Sequence, residues 1–190
     1  SLRLRRTNDA ATAYRAYREK SPNDPFGHFG LGQTALESGD PVAARRSFET
    51  ALKLDPKSTP ALKALENLER RSGHPARAIE LLRTAAQLDP EDFETRYALA
   101  LVLQRAGQPE EAQEQRKAAQ VIQAEQQTIN GLRVKLQAAP EDPELQFQVA
   151  RWMIDHGHGK EGVDWAAKVL KAHPDHAPTH ALLTSYYRQS

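Results

Sequence analysis

Residues 39–44 read GDPVAA, residues 73–78 read GHPARA and residues 107–112 read GQPEEA. The three segments share Gly, Pro and Ala in the same order, and each begins 34 residues after the one before it. Further columns keep this spacing: Ala51, Ala85 and Ala119, and the dipeptides Asp55-Pro56 and Asp89-Pro90. Because several independent columns agree on one spacing, the sequence indicates an internal repeat of this length.

Each column of the repeat has a physical interpretation. The glycine ends a first helix at a position where the chain turns and needs a left-handed backbone. The proline two residues later is the first residue of a second helix, where its missing N–H costs nothing. The alanines allow two helices to approach closely, and Asp-Pro closes the second helix. Each repeat is therefore predicted to be a pair of antiparallel helices.

A helix–turn–helix repeat of this length resembles the tetratricopeptide repeat (TPR) family, and the resemblance extends over most of the chain. It implies an all-α fold, a right-handed α-α superhelix (TPR solenoid) of antiparallel helix pairs with one extended helix. When the turn glycine is numbered as position 15, the repeats run over 25–58, 59–92 and 93–126. The Leu-Gly pair that the family has at positions 7 and 8 is present as Leu31-Gly32 and weakens in the later repeats.

A fourth repeat is predicted over 143–176, although Gly162 stands where the family has alanine. Residues 7–24 resemble a second helix, and residues 177–190 resemble a first helix. Both ends thus break in mid-repeat, as in a fragment of a longer TPR solenoid protein. Such ends would expose apolar side chains and could associate end to end. The candidates are Leu2, Leu4, Leu182, Leu183 and Tyr186.

Between the third and fourth repeats lie extra residues, which extend the second helix of the third repeat to a predicted 109–139. Its apolar side chains fall on one face at helical spacing. They are Ala118, Ile122, Ile129, Leu132, Leu136 and Ala139. Three interpretations stay open: this stripe packs against the fourth repeat, it binds another copy or a partner helix, or the segment is a helical hairpin broken at Asn130-Gly131.

In the TPR family the first helices line a concave groove, and positions 2, 5, 9, 12 and 13 point into it. The resemblance therefore implies a groove with an aromatic floor and a basic rim. The implied residues are Phe26, Phe29, Lys63, Asn67, Arg70, Arg71, Tyr97, Arg105, Phe147 and Arg151. This surface would suit an extended peptide that carries apolar side chains and a carboxylate. The alternative is that the aromatic residues are packing between neighbouring helices.

A more specific precedent in the family is the carboxylate clamp of its chaperone-binding members. Lys63 and Asn67 match the first pair of that motif, whereas Ala98, Glu144 and Gln148 do not match the rest. Only half of a clamp is therefore present. Two further glycines, Gly27 and Gly30, are expected to thin the groove wall beside Phe26 and Phe29.

Residues that could support catalysis are sparse. The glycines of the segment 26–32 follow no predicted strand, so the segment does not fit a dinucleotide-binding loop. His176 and His180 are four residues apart, but Pro178 places His176 at the flank of a helix, which argues against a metal site. We expect no enzyme activity, no cofactor and no metal.

The composition limits the classes of partner. The formal net charge is +1, so the sequence carries no bulk attraction for nucleic acid. No apolar run approaches the roughly 18 residues of a membrane span. The chain has no cysteine, so disulfide chemistry gives no indication of the cellular compartment. The leading hypothesis is a scaffold that binds a protein or peptide. The alternatives are a homo-oligomer formed through the long helix or the repeat ends, and an accessory region of a larger enzyme or secretion machine.

Overall fold

The computed structural model describes the backbone of residues 2–189 and the side chains of residues 6–188. The regular structure of these residues is entirely α-helical, which confirms the predicted all-α class. The helices are α1 (Leu2–Lys20), α2 (Pro25–Glu37), α3 (Pro41–Leu54), α4 (Thr59–Arg71), α5 (Pro75–Leu88), α6 (Phe93–Arg105), α7 (Pro109–Ala138), α8 (Pro143–Asp155), α9 (Gly159–Ala172) and α10 (Ala177–Gln189). They group into two compact units, a first unit of residues 1–122 and a second unit of residues 123–190. The repeat boundaries stay a prediction.

The predicted turn glycines have the left-handed backbone that the repeat requires. Gly39, Gly73 and Gly107 have φ of +79°, +79° and +76°, and Gly157 of the predicted fourth repeat has φ of +81°. A Cβ at any of them would meet nothing within 4 Å, so backbone conformation, not space, requires glycine there. After the first three of these turns the next helix begins at Pro41, Pro75 and Pro109, as the proline column predicts, and after Gly157 it begins at Gly159.

Small residues allow the helices of the first unit to pack closely around large ones. Phe48 of α3 is fully buried, and its ring lies where a side chain at Gly32 of α2 would be. A Cβ on Gly32 would approach Phe48 Cε1 to 2.4 Å, which no side chain can do. The buried Leu62, Leu65 and Leu68 of α4 complete this part of the core. The family's Leu-Gly pair is thus a packing requirement in the first repeat.

The glycine at position 162, where the family has alanine, has a local explanation in the second unit. A Cβ on Gly162 would lie 2.8 Å from the carbonyl oxygen of Ala150 and 2.6 Å from Ile154 Cγ1. Helices α8 and α9 therefore approach too closely for a methyl group.

The long helix α7 is continuous over Pro109–Ala138, 30 residues, and passes through Gly131 without a break. The hairpin broken at Asn130-Gly131 is therefore wrong. The apolar stripe of α7 is covered: Ile122 and Leu132 each expose only 8% of their surface, and Ile129 and Leu136 are half-buried. The border between the two units falls inside this helix.

Helix α1 is longer than the predicted second helix over 7–24, since it begins at Leu2. Its first turns are packed against α2: Thr7 is 4% exposed, and its hydroxyl donates a hydrogen bond to Glu37 Oε2 at 3.1 Å. The expected exposure of Leu2 and Leu4 falls on side chains outside the described residues. At the other end, Leu182, Leu183 and Tyr186 are half-buried.

The expectation for Gly27 and Gly30 is wrong. Both glycines are buried and face α1 instead of a groove. A Cβ on Gly30 would lie 2.4 Å from Tyr14 Cδ1, and one on Gly27 would lie 3.2 Å from Tyr17 Cδ1. These glycines allow the tyrosines of α1 to pack against the backbone of α2.

Candidate peptide-binding face

The candidate face lies on the first helices of the first unit, α2, α4 and α6. Phe29 of α2 packs against the cluster that contains Leu62 and Leu65 of α4. Lys63 of α4 forms an ion pair with Asp92, the N-cap residue of α6, with Nζ 2.5 Å from Oδ2. Side chains of α2 thus reach α4, and a side chain of α4 reaches the N-terminus of α6. We call the exposed side chains of these three helices the first-helix face. Its residues are Phe26, Leu36, Asn67, Arg71, Tyr97, Leu101 and Arg105.

The aromatic residues predicted for the groove floor differ in exposure. Phe26 exposes 53% of its surface and makes edge-to-face contacts with Tyr14 and Tyr17, with ring centroids 5.8 and 5.5 Å away. Phe29 is half-buried, and its ring centroid lies 5.8 Å from that of the core residue Phe48. Phe26 is thus available to a ligand, whereas Phe29 is mainly packing between helices.

The remaining two aromatic residues of the floor lie in different units. Tyr97 of α6 exposes 47% of its surface and stacks on Phe93, with centroids 5.7 Å apart. Phe147 of α8 belongs to the second unit, where it is half-buried with its ring centroid 5.5 Å from that of His176. The stacking on Phe93 restricts the orientation of Tyr97, whose side chain stays exposed.

Carboxylates partly neutralise the predicted basic rim. Besides the Lys63–Asp92 pair, Arg70 Nε lies 3.0 Å from Glu66 Oε1. In the second unit Arg151 Nε lies 3.6 Å from Asp155 Oδ2. Each of these cations therefore has an internal partner, and the rim is less basic than its sequence indicates.

The Lys63–Asp92 pair also bears on the partial clamp motif. Burial alone would raise the pKa of Asp92, but the hydrogen bonds from Lys63 and Thr95 lower it below its ordinary value. Asp92 is thus ionised at neutral pH and holds the lysine that a clamp would offer to a ligand. Since Ala98 contributes no polar side chain in the next repeat, the first unit contains no complete clamp.

Three predicted residues remain exposed with no ion pair among the described side chains: Asn67, Arg71 and Arg105. Asn67 and Arg71 line one depression of about 360 Å³, together with Leu36 of α2. The depression therefore combines an amide, a guanidinium and an apolar side chain, which can contact a carboxylate and an aliphatic group together.

Sequence reasoning missed two residues of the first-helix face. Leu36 and Leu101 are each 38% exposed, although they are large aliphatic residues. The sequence did contain a signal for both residues, namely their positions in the repeat. Leu36 is at position 12 of the repeat 25–58, and Leu101 is at position 9 of the repeat 93–126. Both positions belong to the set that the family resemblance assigns to the groove.

The part of the chain that the structure describes offers no site for a bound metal ion. There, no three His, Asp or Glu side chains lie close enough to hold a metal ion. His176 Nδ1 contacts the hydroxyl of Thr179 at 2.8 Å, and His180 Nε2 contacts the carbonyl oxygen of Pro174 at 2.7 Å. Both imidazoles thus have local partners at the start of α10. Among the described helices, none has the length and apolar character needed to cross a membrane.

Known proteins resemble the chain in sequence and in structure. Models described as tetratricopeptide repeat match residues 2–59 and 70–133. No match was found among functionally curated proteins.

Solved structures similar to the chain include two of MamA and one of YrrB. One MamA structure is 21% identical, with a TM-score of 0.54 over 90% of this chain and 91% of MamA. Another structure is of MamA from Desulfovibrio magneticus RS-1, residue 41 to the end. It is 19% identical, with a TM-score of 0.55 over 92% of this chain and 90% of that chain. YrrB, described as a TPR protein with an unusual peptide-binding site, is 19% identical, with a TM-score of 0.51 over 95% of this chain and 84% of YrrB. At these identities the likeness establishes the fold.

Proposed function

This chain belongs to the tetratricopeptide repeat family, and from that premise we propose that the first-helix face binds an extended segment of another protein. The fold is in general that of protein-interaction scaffolds, which are typically non-catalytic. The more specific part of the proposal is the surface and the chemistry of its ligand.

The observation that carries the proposal is the set of exposed apolar side chains on α2 and α6. Phe26, Leu36, Tyr97 and Leu101 are between 38% and 53% exposed, on helices whose other apolar side chains are buried or half-buried. Exposed aromatic and large aliphatic residues in a shared surface are typical of binding sites. Arg71 and Arg105 form no ion pair within the part of the chain that the structure describes, and their guanidiniums favour a ligand with an acidic group among its apolar side chains.

The relation to YrrB supports this assignment at the level of the fold. YrrB is described as having a peptide-binding site, and its structure superposes on nearly the whole of this chain. For Phe147 and Arg151 we propose the same role on α8, as a separate contact surface of the second unit.

The experiment compares capture of proteins by three forms of the chain. The face variant carries Leu36→Ser, Tyr97→Ser and Leu101→Ser. The control variant carries Val42→Ser, Leu54→Ser and Leu88→Ser, which lie on second helices and are 36–55% exposed. Phe29 is left unchanged because it contacts the core.

Captured proteins are identified by mass spectrometry, and their affinity for each form is then measured with the purified partner. We expect the face variant to lose at least tenfold in affinity, about 1.4 kcal/mol, and the control variant to bind as the wild type does. Equal binding by the face variant and the wild type, with equal helix content by circular dichroism, would overturn the proposal.

A further inference from the structure

In the second unit, we propose that a depression between the α7–α8 loop and α9 is a second binding site, which takes a carboxylate side chain flanked by an apolar residue of a peptide. The depression has a volume of about 570 Å³. Its walls include Glu141 of the loop, Gln146 of α8, and Trp165, Lys168 and Lys171 of α9. It lies on a second helix and thus does not belong to the first-helix face.

The floor of the depression is held in place by a buried side chain. Gln146 is only 8% exposed, and its Nε2 donates a hydrogen bond to the carbonyl oxygen of Pro140 at 2.6 Å. This bond ties the α7–α8 loop to α8, so that the loop wall and the helix wall are fixed relative to one another. The site is therefore formed before a ligand arrives, which lowers the entropy lost on binding.

The apolar part of the site is the half-buried indole of Trp165. The Nζ of Lys168 lies 4.4 Å from the centroid of that ring. The ammonium therefore covers one face of the indole and stands directly beside an apolar surface. This arrangement disfavours a nucleotide, since a base could not stack on the face that Lys168 occupies.

The charge of the depression favours an anion. Neither Lys168 nor Lys171 has an ion-pair partner among the described side chains, and both are exposed. Glu141 is the one acidic residue of the wall, so the balance is one positive charge. A single carboxylate complements this balance, whereas a run of carboxylates would be repelled by Glu141.

The indole of Trp165 and the two lysines together determine the class of ligand. A carboxylate alone would make no contact with the exposed part of the indole, and an apolar group alone would leave Lys168 and Lys171 without an anion. An aliphatic residue next to Asp or Glu supplies both groups within the dimensions of the depression. We therefore assign the site to an acidic–aliphatic dipeptide element within a longer partner chain.

The test uses the whole 190-residue chain labelled with ¹⁵N and follows the indole N–H resonance of Trp165. The resonance is assigned with the variant Trp165→Phe, because the chain has 2 tryptophans. The probe is N-acetyl-Leu-Glu-amide, and its neutral control is N-acetyl-Leu-Gln-amide. We expect a saturable shift with the Glu probe at millimolar concentration and binding of the Gln probe that is weaker by about fivefold or more.

Variants then test whether the two lysines cause the difference in affinity between the Glu probe and the Gln probe. The double variant Lys168→Gln, Lys171→Gln should bind both probes equally weakly, while Lys160→Gln, on the same helix but outside the depression, should bind as the wild type does. The proposal is overturned by equal binding of the two probes, by no saturable shift, or by a shift with adenosine monophosphate alone. None of these outcomes depends on the first-helix face, so this proposal and the proposed function can fail separately.

Discussion

Arg45 donates two hydrogen bonds to the buried carboxylate of Glu69, from Nε at 2.5 Å and from Nη2 at 3.2 Å. Glu69 is 3% exposed, and its second oxygen also lies 2.6 Å from Nδ1 of His74. The carboxylate on α4 is thereby linked to α3 and to the turn that precedes α5. A buried charge is tolerated in this way only when its partners satisfy it.

The first prediction concerns the loss of one of these partners. Arg45→Met should lower the free energy of unfolding by about 3 kcal/mol, because it leaves Glu69 buried with only His74 beside it. The measurement is urea denaturation at pH 7. The matched control is Arg77→Met: its partner Glu80 is 62% exposed, so the change should stay within about 0.5 kcal/mol. Equal losses in both variants would contradict the structural role of the Glu69 network.

The second prediction concerns pH. Burial alone would raise the pKa of Glu69, but hydrogen bonds from Arg45 and His74 lower it below its ordinary value. A carboxyl with a lowered folded-state pKa contributes stability that is complete above its unfolded pKa, about 4.3. That contribution is lost as the pH falls through the folded-state pKa.

Wild type and Glu69→Gln should therefore be compared by urea denaturation at pH 7 and pH 3. Wild type should lose more stability than the variant over this interval, because Gln cannot be protonated there. Asp92 and Glu111 also have a lowered pKa, but they are common to both proteins and cancel in the difference. Parallel losses in the two proteins would argue against this account.

The parts of the fold that sequence predicted are those decided locally. A left-handed turn at Gly39 and a helix start at Pro41 follow from the backbone preferences of those residues. That α7 is long was predictable as well, because no proline follows Pro109 before Pro140; the predicted helix ran over 109–139 and the observed one ends at Ala138. Such features depend on neighbours in the chain and not on how repeats pack.

The parts that sequence did not predict depend on contacts between helices. Nothing local to Lys63 indicates that its ammonium pairs with Asp92, 29 residues further along. Phe29 and Phe26 are equally aromatic, and packing against Phe48 distinguishes the half-buried residue from the exposed one. The exposure and the pairing of the site residues thus depend on how neighbouring repeats pack. The spacing of a repeat in the sequence does not specify that packing.

The third prediction tests whether the α7 stripe is internal packing or a surface for self-association. Leu132 is 8% exposed and Val134, on the same helix, is 62% exposed. Leu132→Glu should destabilise the second unit by about 3 kcal/mol or more, since it buries an unpaired charge. Val134→Glu should change stability by no more than about 0.5 kcal/mol.

Both α7 variants are examined by thermal unfolding and by light scattering. If Leu132→Glu left the melting temperature unchanged but reduced the mass of an oligomer, the stripe would be an interface between copies and not packing within the chain.

The fourth prediction pairs two glycines of the second unit that lie in helices. Gly162→Ala restores the alanine of the family pattern. We nevertheless expect it to lower the free energy of unfolding by about 1–3 kcal/mol, because the new Cβ would lie 2.8 Å from the carbonyl oxygen of Ala150. Gly131→Ala should instead stabilise the protein by about 1 kcal/mol, since alanine loses less backbone freedom than glycine when the helix forms and its Cβ meets nothing within 4 Å. Thermal unfolding of the two single variants provides the comparison. Stabilisation by both would mean that α8 can move away from α9 at little cost, and that the close approach at Gly162 is not required by the packing of this unit.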